Sequence, residues 1–167
     1  VANISIMATS VFNGISQGAQ PLFSRFYGKG ERQFIKKILR LSMGTAVVLA
    51  LVVVMITGSF TEAIIGIFNS ENNAQMAAYA MKGIRIYFVG FLFAGCNIVG
   101  AGYLSATEKA GWAFAVSIVR GVVAIIACAV ILAYIFGMTG VWLAFPVAEG
   151  ITTMIMLAAM KQTVELR

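Results

Sequence analysis

The sequence predicts an all-α protein, a polytopic transmembrane helix bundle, and three observations support this prediction. Apolar residues make up 60% of the 167 residues and charged residues only 11%, whereas soluble domains are typically about 25% charged. The apolar residues form stretches of about 20 residues, the length that crosses a bilayer. Half of the twelve cations lie between Arg25 and Arg40, directly after the first such stretch. We therefore expect lipid to surround most of the chain.

Five apolar spans follow one another, joined by short loops. Their approximate bounds are residues 1-23, 41-60, 84-104, 111-136 and 141-160. The chain begins at Val1 inside an apolar stretch, which is typical of a fragment that starts within a larger protein. Pro21 follows Gly18 closely and is expected to bend or end the first helix. The residues from 61 to 68 are too few for a crossing, and Asn69 and Ser70 are predicted to cap the next helix.

The distribution of cations predicts the orientation of the spans. Six cations in the first loop, together with Lys109, Lys161 and Arg167, give nine on one side, against Lys82 and Arg85 on the other. Because loops rich in Lys and Arg stay in the cytoplasm, the C-terminus is predicted to be cytoplasmic.

Composition excludes several functional classes. The net charge of +6 would also suit nucleic acid, but cations grouped beside a span are typical of membrane topology, so no nucleic-acid partner is predicted. The chain has no histidine, and Cys96 and Cys128 are isolated within apolar spans. We therefore predict no metal site, no cofactor and no catalytic constellation, and hence a protein that is not an enzyme.

The first span carries a polar stripe on one helical face. Its members recur at spacings of three, four or seven residues: Asn3, Ser10, Asn13, Gln17, Gln20 and Ser24. In lipid these groups need partners, so the stripe either bonds to neighbouring helices or lines a polar cavity. Its length favours a cavity, with Asn13, Gln17 and Gln20 as lining candidates.

The third span carries mainly small residues on one face, a pattern that favours close helix packing. The face comprises Gly83, Tyr87, Gly90, Ala94, Asn97 and Ala101. Asn97 is its one strongly polar side chain near the middle of the span, and is a further cavity candidate.

Two charges lie deep in the last two spans, Arg120 in the fourth and Glu149 near the midpoint of the fifth. A charge at the bilayer centre costs about 2.5–3.5 kcal/mol on insertion scales, so each is expected to face protein or water. Because their depths are similar, they could form a structural ion pair. The alternative is that Glu149 belongs to a proton or substrate site in the cavity.

Several motifs resemble a known family. They are GISQGAQPL at 14–22, Tyr27-Gly28 before the basic run, IRIY at 84–87 and GVWLAFPVAE at 140–149. Over essentially the whole chain, they resemble the second half of bacterial multidrug and toxic compound extrusion (MATE) transporters. The resemblance implies two six-helix bundles, of which residues 1-167 would form part of the C-terminal one, the eighth to twelfth helices. It also implies a missing N-terminal half and a location in the bacterial inner membrane.

The resemblance implies a secondary active exporter of organic cations and other amphipathic compounds. Export would be an antiport driven by a proton or sodium gradient, with alternating access. Some sodium-coupled members have an acid in the tenth helix, and residues 84-104 contain none, so a sodium site in this segment is not expected. The alternatives are a lipid-linked oligosaccharide flippase of similar architecture, which would need cationic cavity residues, and an inactive or accessory membrane fragment.

Overall fold

The computed structural model describes residues 2–68 and 74–165, and the regular structure within those ranges is helical. The α-helices are α1 Ala2–Gly28, α2 Arg32–Ser59, α3 Thr61–Phe68, α4 Ala74–Val89, α5 Phe91–Ala106, α6 Ala110–Ile118, α7 Ala124–Phe136 and α8 Met138–Glu165. A π-helical segment, Val119–Val123, joins α6 to α7. The predicted all-α class is confirmed. The predicted cap at Asn69 and Ser70 lies outside the described residues.

Four helical stretches are long and apolar enough to cross a membrane. They are Arg32–Ser59, Ala77–Ala106, Ala110–Phe136 and Met138–Lys161. At 27 residues α1 is long enough, but it is not among these four, because the polar stripe runs along most of its length. The outer surface carries many large apolar side chains, such as Met7, Leu41 and Tyr134, as expected of a surface that faces lipid.

The helices differ from the predicted spans at three places. Pro21 does not end α1, which continues to Gly28; the ring only removes the N–H that would bond to the carbonyl of Gln17. The basic residues from Arg32 onward form the first turns of α2, because a helix can continue beyond the apolar layer. The predicted third span is divided at Gly90, between α4 and α5.

The middle of the bundle is α5, which contacts α1, α2, α4, α6 and α8. Small residues allow these contacts, as the sequence predicted. A β-carbon at Gly90 would lie 2.5 Å from the ring of Phe145, and one at Gly95 would lie 2.9 Å from the ring of Phe12. A β-carbon at Gly102 would overlap the hydroxyl of Ser16. Gly90, just before α5, therefore allows α8 to approach closely, and Gly95 and Gly102 within α5 allow α1 to do so.

Helices α7 and α8 form a tight antiparallel hairpin. Gly137 ends α7 with a φ of 58°, a left-handed conformation that glycine adopts without strain. A β-carbon at Gly140 would overlap the backbone of Leu132. The close turn sets the depth of α8, and with it the position of Glu149.

Candidate functional site: a polar cavity and a buried ion pair

A cavity of about 560 Å³ lies between α1, α5, α6 and the π-helical segment. Its polar wall is formed by Asn13, Ser16, Gln17, Gln20, Ser105, Ser117 and Arg120. Ile98 and Phe114 add apolar surface. The structure therefore brings three predicted residues of α1 to the same cavity as Arg120.

Helix α1 presents its polar stripe to the cavity because the face beside the stripe is held by packing. Phe12 and Phe23 are almost fully buried, Phe12 in the cluster around α2 and α5 and Phe23 beside Tyr103 of α5. Ser16 lies at the edge of this buried face and donates a hydrogen bond to the carbonyl of Ile98 at 3.2 Å. These contacts fix the rotation of α1 about its axis, which turns Asn13 and Gln17 towards the cavity.

The other members of the stripe have different surroundings. Ser24 donates a hydrogen bond to the carbonyl of Ala106 at 3.2 Å and so links α1 to α5. Ser10 donates to the carbonyl of Ile6 within α1 at 2.8 Å. The two interpretations of the stripe therefore apply to different residues: its middle lines a cavity, and Ser24 joins helices.

Arg120 of the cavity wall forms an ion pair with Glu149, which lies behind that wall. Arg120 Nε donates to Glu149 Oε1 at 2.8 Å. The Arg120 side chain is 26% exposed and the Glu149 side chain only 4%. Asn97 Nδ2 donates to Glu149 Oε2 at 2.7 Å and to the Glu149 carbonyl at 2.9 Å. Both carboxylate oxygens are therefore hydrogen-bonded, as a buried charge requires.

Asn97 and Glu149 are not among the residues that line this cavity. Asn97 is fully buried, and its amide is used to hold the carboxylate. Its Oδ1 atom is buried without a hydrogen-bond partner among the described residues. The cavity is thus in direct contact with Arg120, and Glu149 and Asn97 form the layer that supports it.

The backbone around the ion pair is irregular on both sides. Arg120 lies in the π-helical segment, and such segments occur often at functional sites because they change the direction of side chains within a helix. On the other side, Pro146 is inside α8 and removes one backbone donor a turn before Glu149. Thr153 donates to the Glu149 carbonyl at 2.9 Å.

Comparison with known proteins assigns the family. The family model described as MatE matches residues 1–131. The chain belongs to the MatE family. It is 28% identical over 150 residues to the multidrug export protein MepA of Staphylococcus saprophyticus, a match that covers 90% of this chain and 32% of that protein. The chain therefore spans about a third of the length of this relative.

A solved structure has the same fold as the MatE chain. It is the outward-facing conformation of a multidrug resistance MATE family transporter of the MOP superfamily, with a TM-score of 0.89 at 14% sequence identity. The match covers 98% of this chain and 37% of that one. The predicted MATE resemblance and bundle fold are confirmed. The chain is a multi-pass membrane protein from a family of transporters, not of enzymes.

Some cavity residues of this MatE chain were not predicted. Phe114 and Ser117 line the wall opposite α1. They precede Arg120 at helical spacing, three residues apart, so the position of Arg120 could have indicated them. In the described ranges, no group of three or more His, Cys, Asp or Glu side chains could hold a metal ion, and Cys96 and Cys128 are free thiols.

Proposed function

We propose that this chain forms one wall of the substrate path of a multidrug exporter. The exporter would be a secondary active antiporter that exchanges amphipathic compounds, organic cations among them, for protons or sodium ions. The observation that carries the proposal is the polar cavity beside α1. Its volume of about 560 Å³ suits a drug-sized molecule, since ligand pockets usually measure about 300–1,000 Å³.

The chemistry of the cavity supports amphipathic substrates. Amides and hydroxyls form one part of the wall, and the ring of Phe114 forms another. Phe114 is 68% exposed, so it offers apolar surface to a bound molecule. Polar side chains at membrane depth usually face a pathway or a partner. The similar protein MepA bears the name multidrug export protein.

Alternating access would require a second bundle that faces this one. We propose that an N-terminal half supplies it, because the chain spans about a third of its relative. The basic stretch from Arg25 to Arg40, which covers the end of α1 and the start of α2, would face the cytoplasm of a bacterial cell, and the C-terminus would lie on the same side. Arg25, Lys36 and Lys37 are exposed there, where anionic lipid headgroups would attract them.

A flippase for lipid-linked oligosaccharides is the second candidate, because Arg120 lines the cavity. A pyrophosphate carries several negative charges and is usually held by more than one cation. Among the described residues that line the cavity, Arg120 is the one cation. The drug exporter is therefore the better supported function.

The proposal is tested by expressing the complete gene in a bacterial strain that lacks its own drug exporters. We expect lower ethidium accumulation than in the empty strain, and the difference should disappear when a protonophore or a sodium ionophore collapses the driving gradient. Replacing both Gln17 and Gln20 by Leu should restore accumulation at equal membrane content. The matched control is Gln33→Leu, at an exposed position outside the cavity. Unchanged accumulation in all strains would contradict the proposal.

A further inference from the structure

The electrostatic character of the cavity is set by one residue. Among the described residues that line it, Arg120 is the only charged one. Its counter-ion, Glu149, is 4% exposed and lies behind it. The ion pair is neutral overall, but the positive end of its dipole faces the cavity and the negative end is covered by protein. In a site of low dielectric constant, this arrangement favours negative charge in the cavity over positive charge.

The guanidinium of Arg120 has more hydrogen-bond donors than the ion pair uses. An arginine has five N–H groups, and only Nε is used, in the bond to Glu149. Within residues 2–68 and 74–165, the two terminal nitrogens make no hydrogen bond. The side chain is 26% exposed and lines the cavity, so a ligand in the cavity can reach the guanidinium. A carboxylate is the acceptor that such a planar pair of donors fits best.

The surroundings of Arg120 suit the remainder of an amphipathic carboxylate. Phe114 lies on the same wall, and its largely exposed ring can pack against an aromatic or aliphatic body. Ser117 is the nearest polar residue before Arg120 along the same helical face. Its hydroxyl donates to the carbonyl of Ala113 at 2.8 Å, which leaves the oxygen as an acceptor, so Arg120 is the stronger donor at this end of the cavity.

We infer that the cavity selects amphipathic compounds with an anionic acceptor group, a carboxylate above all, which the terminal nitrogens of Arg120 bind. The inference rests on the proposed function and names a substrate class for it. A zwitterionic compound would bind with its carboxylate at Arg120 and its cationic end turned away. A permanent cation without an acceptor would gain nothing from this wall.

The test is a fluorescence binding titration of the complete purified protein in detergent micelles with two matched probes. Dansylglycine carries a carboxylate, and dansylglycinamide has the same ring with a neutral amide. We expect the carboxylate to bind about 10- to 100-fold more tightly, which is the contribution of a hydrogen bond to a charged group. In the double variant Arg120→Gln/Glu149→Gln, the two affinities should become equal within about twofold.

A second variant is expected to gain affinity, a result that a misfolded protein would not give. Glu149→Gln removes the competing anion and leaves Arg120 in place, so dansylglycine should bind about tenfold more tightly, with dansylglycinamide unchanged. Lys36→Gln, in the first turns of α2 and outside the cavity lining, should leave both affinities unchanged. The inference is overturned if the wild type does not distinguish the probes, if the preference survives loss of Arg120, if Glu149→Gln weakens carboxylate binding, or if Lys36→Gln abolishes the preference.

The binding test and the export test can fail independently of each other. Loss of drug efflux with the carboxylate preference intact would contradict the proposed function but leave the ligand class standing. Efflux of ethidium by a protein that does not distinguish the two dansyl probes would contradict only the inference about Arg120.

Discussion

Removing one partner of the Arg120–Glu149 pair should destabilise the bundle, and the two single substitutions should differ in size. Arg120→Gln leaves a carboxylate that is 4% exposed with Asn97 as its remaining side-chain partner. An uncompensated buried charge costs about 3–5 kcal/mol in the free energy of unfolding. Glu149→Gln leaves a guanidinium that is 26% exposed to the cavity and still has an amide oxygen to bond. Its expected cost is about 1–2 kcal/mol, the difference between a charged and a neutral hydrogen bond.

The double variant Arg120→Gln/Glu149→Gln separates the ion pair from the loss of side-chain packing. With both charges removed, the double variant leaves no uncompensated buried charge, so it should lose less free energy of unfolding than Arg120→Gln alone. The sum of the losses in unfolding free energy of the two single variants should therefore exceed the loss of the double variant by about 2 kcal/mol or more. The exposed charges Lys36 and Glu62 supply matched controls, since neither Lys36→Gln nor Glu62→Gln should shift the unfolding curve.

The assay is unfolding of the purified chain by SDS titration from non-ionic micelles, followed by loss of helical circular dichroism. Equal costs for Glu149→Gln and Arg120→Gln would show that the cost does not follow the burial of the charge that remains. Additive costs in the double variant would equally refute a direct interaction between the two side chains.

Two further predictions follow from the packing around this site. Gly102→Ala should destabilise the bundle by about 1–3 kcal/mol, because the new methyl overlaps Ser16 and overpacking carries that cost; Gly121→Ala, which meets open space, should cost less in the same SDS titration. Asn97→Leu should cost about 1–3 kcal/mol, because a buried Glu149 oxygen loses its donor. An unchanged unfolding curve for Asn97→Leu would show that the amide does not support the carboxylate.

The helical class and the polar wall of α1 were predictable from the sequence for physical reasons. Apolar stretches of fixed length are a requirement of the bilayer. The period of the polar stripe is a property of the helix itself, so Asn13 and Gln17 could be assigned to one face without knowledge of their neighbours.

Other features depend on contacts between distant parts of the chain. The break at Gly90 coincides with its contact with Phe145 and Pro146 of α8, which no local pattern contains. Asn97 was expected on a cavity wall as a polar group on a small-residue face. Its position behind Arg120, as a donor to Glu149, depends on the depth of α8, which the turn at Gly137 sets. The continuation of α1 through Pro21 depends likewise on the packing of Ala19 and Phe23, which are buried on either side of the proline.

Labelling of single cysteines tests most directly whether the cavity is a substrate path. Cysteine would replace Gln17, Gln20 or Asn97 one at a time, in a protein whose Cys96 and Cys128 are replaced by alanine. With a water-soluble thiol reagent, the cysteines at positions 17 and 20 should react, and saturating dansylglycine should slow their reaction severalfold. The cysteine at position 97 should remain unreactive, because the native side chain is fully buried. Protection at positions 17 and 20 without any ligand, or labelling rates that dansylglycine does not change, would show that the cavity is not a substrate path.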